Sequence, residues 1–193
     1  VLWFFSLRSP VPTVKIGQIQ STMKFAYVRV LGRVVRSPSY EAEGGYLSFW
    51  IEDDTGQMMV SSYRSTTQAL VEAGRLPDVG DQVTLEGTLR LREDMLLLTL
   101  ASAGALRLLH PQPVACKIGE ISPYDALTAV TVRGQVREVK TPYEGLQLIA
   151  LRDETGAIDV AVSTSTAALV GDVPQVQPGD SVEVTGAVTL YKD

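Results

Sequence analysis

Hydrophobic and polar residues alternate with a period of two along much of the chain. In AYVRVLGRVVR (residues 26–36), alanine, valine or glycine takes every second position from 26 to 34, and tyrosine, leucine or arginine lies between them. This period is typical of a strand with one buried face and one solvent-exposed face. Similar segments bounded by glycine and aspartate predict four further strands, over residues 46–52, 57–63, 80–92 and 95–100.

One segment between these strands has a helical pattern instead. In STTQALVEA (residues 65–73), Ser65 and Gln68 have the spacing of a capping box, and Gly74 and Pro77 follow the last apolar residues. The order is therefore three strands, one helix and two strands. Five strands with a helix between the third and the fourth form the layout of a small Greek-key barrel.

The same series of segments occurs twice in the chain. The offset is 102 residues at the start and falls to 99 by the last repeated strand, which places the deletions in connecting segments. The clearest pairs are VKIGQI (14–19) with CKIGEI (116–121), IEDDTGQMMV (51–60) with LRDETGAIDV (151–160), and VGDQVTLEGTL (79–89) with PGDSVEVTGAV (178–188). The sequence thus predicts two tandem domains, over residues 14–109 and 116–193, joined by a linker at 110–115.

The second copy differs from the first at its end. TLYKD (189–193) aligns with RLRED (90–94), the point at which the first copy goes on to its fifth strand, MLLLTL. We therefore expect a second barrel without its last strand. Three explanations fit: the rest of the protein is trimmed or disordered, which we favour, the N-terminal VLWFFSL fills the gap, or a neighbouring chain does. An open barrel edge would be suited to self-association or to another protein.

The shared motifs carry a resemblance to a known family. V.G.V, then Y…F.I.D.TG…V, a short helix and GD.V.(V/L).G resemble the OB-fold nucleic-acid-binding domains of the tRNA-anticodon and helicase type, present twice. This resemblance implies an all-β fold with short helices, built from two five-stranded OB-fold barrels. It also implies single-stranded DNA or RNA as a partner.

Charge and composition narrow this expectation. The net charge is −5, and the basic and acidic residues number 11 and 11 in residues 1–110 but 6 and 11 in residues 111–193. Because phosphate binding depends on cations, affinity for nucleic acid should belong to the first copy and be weak. One cysteine, Cys116, and one histidine, His110, exclude a disulfide framework or a Cys/His metal cluster within the chain.

No catalytic motif is recognisable in the sequence. It contains no nucleophile elbow and no phosphate-binding loop, and the acidic pairs Asp53/Asp54 and Asp153/Glu154 fall in predicted hairpin turns, where aspartate makes turn hydrogen bonds. We therefore expect a non-enzymatic protein with no cofactor and no metal.

The candidate binding site is the outer face of the first three strands of the first copy. OB-folds that hold single strands do so by stacking bases on aromatic side chains and by pairing phosphates with cations. The residues of these types at outward positions are Tyr27, Arg29, Arg33, Tyr46, Trp50, Tyr63 and Arg64. The predicted function is weak, sequence-tolerant binding of single-stranded nucleic acid; the alternative is a structural or protein-interaction module.

The first residues remain open to two interpretations. VLWFFSLRSPVP (1–12) is mainly apolar and ends in arginine and proline, so residues 1–13 form either the end of a membrane anchor or an apolar segment that packs on the core. A cytoplasmic and a membrane-anchored location both fit the sequence.

Overall fold

The first half of the chain forms a closed barrel. The computed structural model describes residues 10–41, 43–92, 95–163, 167 and 174–190. Five strands lie in the order β1-β2-β3-β5-β4, and β4 pairs back with β1 to close the barrel. The elements of this half are β1 (Tyr27–Glu41), β2 (Tyr46–Asp53), β3 (Gly56–Tyr63), α1 (Arg64–Glu72), β4 (Gln82–Arg92), β5 (Met95–Leu100) and β6 (Leu106–Leu109). β6 is an added strand that pairs antiparallel with β4.

The inward faces are those that the alternation predicts. Val28, Val30 and Val34 of β1 are buried, and so are Leu47, Phe49 and Ile51 of β2. With Met58, Val60, Leu85, Leu89 and Leu98 they belong to one apolar core. The outward residues between them are therefore free to form a surface site.

Two local features bend β1 so that it joins both sides of the barrel. A Cβ atom on Gly32 would lie 2.8 Å from the Glu52 carbonyl oxygen, so only glycine allows this close crossing of β1 and β2. A register shift between Val34 and Arg36 follows in the β1–β2 pairing. The first part of β1 pairs with β4 and the later part with β2.

The predicted capping box of α1 is wrong. The helix begins at Arg64 directly after β3, and its N-cap residue, Tyr63, makes no side-chain capping hydrogen bond. The Arg64 amide instead donates to the Gly45 carbonyl oxygen at 2.7 Å, and Arg64 has a positive φ of 44°. The β2–β3 hairpin fixes the start of the helix, which leaves Ser65 inside the first turn.

The second half forms an open, curved sheet. Its strands are β7 (Val114–Ala115), β8 (Ala129–Tyr143), β9 (Leu146–Arg152), β10 (Ala157–Ser163) and β11 (Ser181–Ala187). They lie in the order β10-β9-β8-β11, with β7 beside β8. In the described part of the chain no fifth strand bridges β10 and β11, so Val160 and Val184 are only half-buried, whereas their counterparts Val60 and Leu85 are fully buried. The predicted all-β fold with short helices is confirmed, and the closed barrel and the curved second sheet agree with two OB-folds.

The repeated acidic phrase fastens the start of each copy to its β-hairpin. Asp53 Oδ2 accepts a hydrogen bond from the Ile16 amide at 2.8 Å, while Asp53 Oδ1 accepts from the Thr55 and Gly56 amides. The Gly17 amide donates to Thr55 Oγ1 at 2.8 Å. In the second copy, Asp153 and Thr155 make the same bonds to Ile118 and Gly119. The phrase thus occurs twice because the same hydrogen bonds hold the start of each copy to its hairpin.

These hydrogen bonds stabilise the carboxylate form of both aspartates. Partial burial opposes ionisation of Asp53, but bonds from Thr55, Ile16 and Gly56 outweigh it and hold the pKa of Asp53 below its usual value. The pKa of Asp153 is also well below its usual range, chiefly because of the Thr155 hydroxyl. The neighbouring acids are exposed and pair with lysine, Asp54 with Lys15 and Glu154 with Lys117.

The predicted N-terminal segment lies mostly outside the described residues, which begin at Pro10. Thr13 forms a parallel bridge to Arg29 of β1, as Ala115 does to Thr131 in the second copy. Among the helices of the described residues, none combines the length and the apolar character that a membrane span requires.

Candidate nucleic-acid interface

The outer face of β1, β2 and β3 carries rows of paired side chains. Cross-strand neighbours on one face of a sheet lie close enough to interact. In one row, which we call the Trp50 row, Trp50 pairs with Arg36 on one side and Met59 on the other. In the Tyr46 row, four residues away along β2, Tyr46 pairs with Glu41 on one side and Tyr63 on the other. At about 3.3 Å per residue, the Trp50 and Tyr46 rows are roughly 13 Å apart.

The Trp50 row contains a cation over an aromatic face. The Arg36 guanidinium lies 4.5 Å from the centroid of the Trp50 ring, and Trp50 is half-buried. Sequence reasoning missed Arg36, because strict alternation from Val28 places residue 36 on the inward face. The register shift after Val34 returns Arg36 to the outer face, and the only sequence signal for it was the doublet Val34-Val35.

The second row is an aromatic pair. The rings of Tyr46 and Tyr63 are 5.1 Å apart at their centroids and tilted by 47°, and Tyr63 is 48% exposed. Offset or tilted aromatic pairs are favourable and leave part of each ring accessible. This row provides a second aromatic surface on the same face as Trp50.

Two of the predicted residues lie on the β4 side of β1 instead. Arg29 donates to Glu86 Oε1 from Nη2 at 2.5 Å and from Nε at 3.0 Å, and the Tyr27 hydroxyl lies 3.4 Å from Glu86 Oε2. Burial and the Glu86 charge raise the pKa of Tyr27. The charge of Arg29 is thus already neutralised within the barrel.

The remaining arginines occupy different places. Arg33 is exposed on the outer face of β1 opposite Glu52, and it makes no ion pair with any described residue. Glu52 accepts a hydrogen bond from the Gln57 side chain at 2.6 Å. Arg64 follows β3 directly and is the first residue of α1. The structure therefore brings together Arg33, Tyr46, Trp50 and Tyr63, places Arg64 at the border, and separates Tyr27 and Arg29.

The second copy has no equivalent surface. Its row at the position of Arg36, Trp50 and Met59 consists of Glu138, Ala150 and Asp159. Lys140 is paired with Glu138 at 2.8 Å. The two acids and the missing ring make this face unsuited to phosphate and base contacts.

The single histidine and the single cysteine make local contacts. His110 Nδ1 lies 2.8 Å from Asp81 Oδ1, and burial raises the pKa of Asp81 although hydrogen bonds from Asp78 and His110 oppose this rise. Cys116 packs against the second core, and burial raises the pKa of its thiol. The described residues contain no group of three or more histidine, cysteine or acidic side chains able to hold a metal ion.

Several solved structures are similar to parts of the chain. No curated protein matches the sequence. Among solved structures, the chain resembles Pyrococcus horikoshii asparaginyl-tRNA synthetase, with 16% identity, a TM-score of 0.40, and coverage of 50% of this chain and 22% of that chain. The chain thus spans about a fifth of the synthetase.

Two isolated OB domains are also similar. The OB domain of a Methanosarcina mazei protein has 12% identity and a TM-score of 0.43, covering 53% of this chain and 87% of that one. The second OB-fold domain of replication protein A from Methanococcus maripaludis has 14% identity and a TM-score of 0.37, covering 53% and 99%.

Part of the amino-acid sequence also matches a family model. Residues 130–193, which include β8 to β11, match the tRNA_anti-codon family, described as an OB-fold nucleic acid binding domain. The first half of the chain repeats the motifs and hydrogen bonds of this matched half, as Asp53 and Asp153 illustrate. The chain is therefore an OB-fold protein whose residues 130–193 match the nucleic-acid-binding domain family of the tRNA-anticodon type.

Proposed function

We propose that the chain binds single-stranded nucleic acid through the outer face of β1, β2 and β3 in its first barrel. The observation that carries this proposal is the Trp50 row, in which a half-buried indole lies under the Arg36 guanidinium, 4.5 Å away. An aromatic ring and an adjacent cation are the two groups that sequence-tolerant binding of single strands requires. The proposal is for a binding module and includes no catalytic step.

Charge favours the first barrel over the second. Arg33 and Arg36 have no acidic partner among the described residues, whereas the second barrel has Glu138 and Asp159 on the same face. The family match falls on the second half, where it reflects the core and turn motifs shared by both copies. The side chains that would contact a base or a phosphate differ between the copies. Those of the first copy include the aromatic rings and arginines that such binding requires.

The expected interaction is modest in strength. A base stacked on Trp50 contributes about 1–3 kcal/mol, and a second base would stack on the Tyr46–Tyr63 row. With Arg33 and Arg36 as the two phosphate contacts, the slope of log K against log salt should be near −1.4, since each contact contributes about −0.7 for single strands. Both DNA and RNA offer these groups, so the proposal covers both.

The test is fluorescence anisotropy of labelled dT20 and rU20, titrated with the full chain at low and at physiological salt. We expect salt-sensitive binding that Trp50→Ala weakens by about tenfold, the loss of one stacked base. Tyr124→Ala is the matched control, because Tyr124 is 97% exposed and lies in the second copy. An equal affinity for the two variants would remove Trp50 from the site.

A complete absence of binding at low salt would contradict the proposal as a whole. The chain would then be assigned to the other general use of OB-folds, the recognition of proteins. In that case the outer face of β1 to β3 would be tested first for a protein partner.

A further inference from the structure

A second surface of the first barrel carries a shallow groove between β1, β4 and β6, which we call the β6 groove. Six outward side chains line it: Leu31, Arg33, Gln82, Thr84, Arg107 and Leu109. They form two cross-strand rows in adjacent registers. One row is Leu31–Thr84–Arg107, and the other is Arg33–Gln82–Leu109.

The groove combines exposed apolar groups with uncompensated cations. Leu31 and Leu109 are 50% and 63% exposed. The side chains of Arg33 and Arg107 make no ion pair or hydrogen bond with any described residue, in contrast to Arg29, which Glu86 neutralises. The lining includes no acidic side chain, although the whole chain carries a net charge of −5. The groove is thus a local positive and apolar surface on an acidic protein.

The second copy shows that the fold does not require these residues. A groove between β8, β11 and the end of β9 overlaps this place, and its lining includes Arg133 and Glu183, where the first copy has Leu31 and Thr84. Arg133 Nε lies 2.5 Å from Glu183 Oε2, so the charges are paired. Gln135 stands at the position of Arg33. The same β-scaffold therefore tolerates a polar, neutralised surface, and the first copy departs from it toward apolar and cationic groups.

We propose that the β6 groove binds an extended segment of a partner protein that presents carboxylate and apolar side chains on one face. The segment lies in the groove, over Thr84 and Gln82, between β1 and β6. Because the two rows are two residues apart along the strands, side chains two positions apart in an extended segment face one row each, and each row offers one arginine and one leucine. The groove therefore selects a carboxylate and an apolar side chain two positions apart, an acidic-x-apolar pattern.

The leucines favour a protein over a nucleic acid here. A phosphate backbone would satisfy Arg33 and Arg107, but it would leave Leu31 and Leu109 in water. Burying the apolar side chains contributes about 25 cal/mol per Å², and carboxylates in the partner satisfy the arginines at the same time. This surface is independent of the base-stacking rows of the proposed function, with Arg33 as the one residue that borders both.

The test uses fluorescein-labelled twelve-residue peptides and the full chain. The probe peptide is three repeats of Asp-Ser-Leu-Ser, and the comparison peptides are three repeats of Lys-Ser-Leu-Ser and of Asp-Ser-Ser-Ser. We expect the probe to bind at least about tenfold more tightly than either comparison peptide. Equal affinity of the three peptides, or no binding of the probe, would overturn the proposal.

Two variants of the β6 groove make the test specific to it. Leu31→Arg with Thr84→Glu transfers the Arg133–Glu183 pair, and Arg107→Gln removes a cation that only this groove uses. We expect each to weaken probe binding at least about tenfold, while Arg137→Gln, on the exposed surface of β8, leaves it unchanged.

The affinity for dT20 separates this proposal from the proposed function. It should be the same for the Leu31→Arg/Thr84→Glu variant and the wild-type chain. The variant could instead lose dT20 affinity while the wild-type chain fails to bind the probe peptide. That result would assign the groove to nucleic acid and overturn the proposal that it binds a protein.

Discussion

The Arg36 guanidinium lies over the Trp50 ring, 4.5 Å from its centroid. The contact exists because the register of β1 and β2 shifts between Val34 and Arg36, which turns residue 36 from the inward to the outward face. The cation is attracted to the face of the indole, which favours this arrangement of the two side chains. The bulge is therefore the feature of the backbone that assembles the proposed site.

Arg36 and Arg29 should differ in their effect on nucleic-acid binding. We expect Arg36→Ala to weaken dT20 binding and to reduce the magnitude of the salt slope by about 0.7, the value of one phosphate contact. Arg29→Ala should change neither, because Glu86 already neutralises Arg29. Anisotropy titrations at several salt concentrations measure both quantities. Equal effects of the two variants would show that the Arg29–Glu86 pair opens on binding.

The second barrel should acquire binding when it receives the missing row. Ala150→Trp with Glu138→Arg reproduces the Trp50–Arg36 pair at the same register of β8 and β9. In a chain that also carries Trp50→Ala, we expect this graft to restore at least part of the dT20 affinity. The control is Ala150→Trp alone, which keeps Glu138 beside the new ring and should restore less. No gain from the graft would indicate that β5, which closes only the first barrel, is also needed.

The hydrogen bonds of Asp53 should contribute measurably to the free energy of unfolding. In Asp53→Asn, an amide N–H₂ group would face the Ile16 amide in place of Oδ2, so a buried donor loses its acceptor and the free energy of unfolding should fall by about 2 kcal/mol. Asp54→Asn is the matched control, since Asp54 and Lys15 form an exposed pair that contributes less than about 0.5 kcal/mol. Urea unfolding followed by circular dichroism measures the difference.

The same aspartate predicts a pH dependence. The pKa of Asp53 in the fold lies below its unfolded value of 3.8, so the carboxylate contributes its full stability above that value. The contribution is lost as the pH falls below 3.8 and through the folded pKa. The gap in stability between the wild-type chain and Asp53→Asn should therefore be constant from pH 7 to about 5 and shrink toward pH 3. A gap that stays constant over this range would contradict ionised Asp53 as the cause.

Gly87 and Gly186 provide a matched pair for the role of β5. They occupy the same position in the two copies, but a Cβ atom on Gly87 would overlap the Thr99 carbonyl oxygen and lie 2.6 Å from Leu98, whereas a Cβ atom on Gly186 would have no heavy atom of the described residues within 4 Å. We expect Gly87→Ala to destabilise by about 3 kcal/mol, as an overpacked core does. Gly186→Ala should stay within about 0.5 kcal/mol of the wild-type chain. Similar losses in the two variants, measured by urea unfolding, would contradict the difference in packing.

The predictions from sequence succeeded where the outcome depends on local pattern. Alternation in β1 and β2 identified the buried faces, because a strand exposes successive side chains to opposite sides of the sheet. The D-x-T-G phrase marked both hairpins, since aspartate and glycine satisfy the turn backbone. The same local rule failed for the start of α1, where the Gly45 carbonyl from a distant turn takes the place of the expected Ser65 cap.

The amino-acid sequence by itself predicted an all-β chain with an OB-fold layout, the chain order of strands and helix in the first copy, and the outward positions of Tyr46, Trp50 and Tyr63. Only the tertiary structure decided which cations accompany them. The bulge after Val34 reverses the face of Arg36, so Arg36 joined Trp50, and the closure of β1 against β4 placed Glu86 beside Arg29. These outcomes depend on pairing between strands that are 14 to 57 residues apart, and no local pattern contains that information.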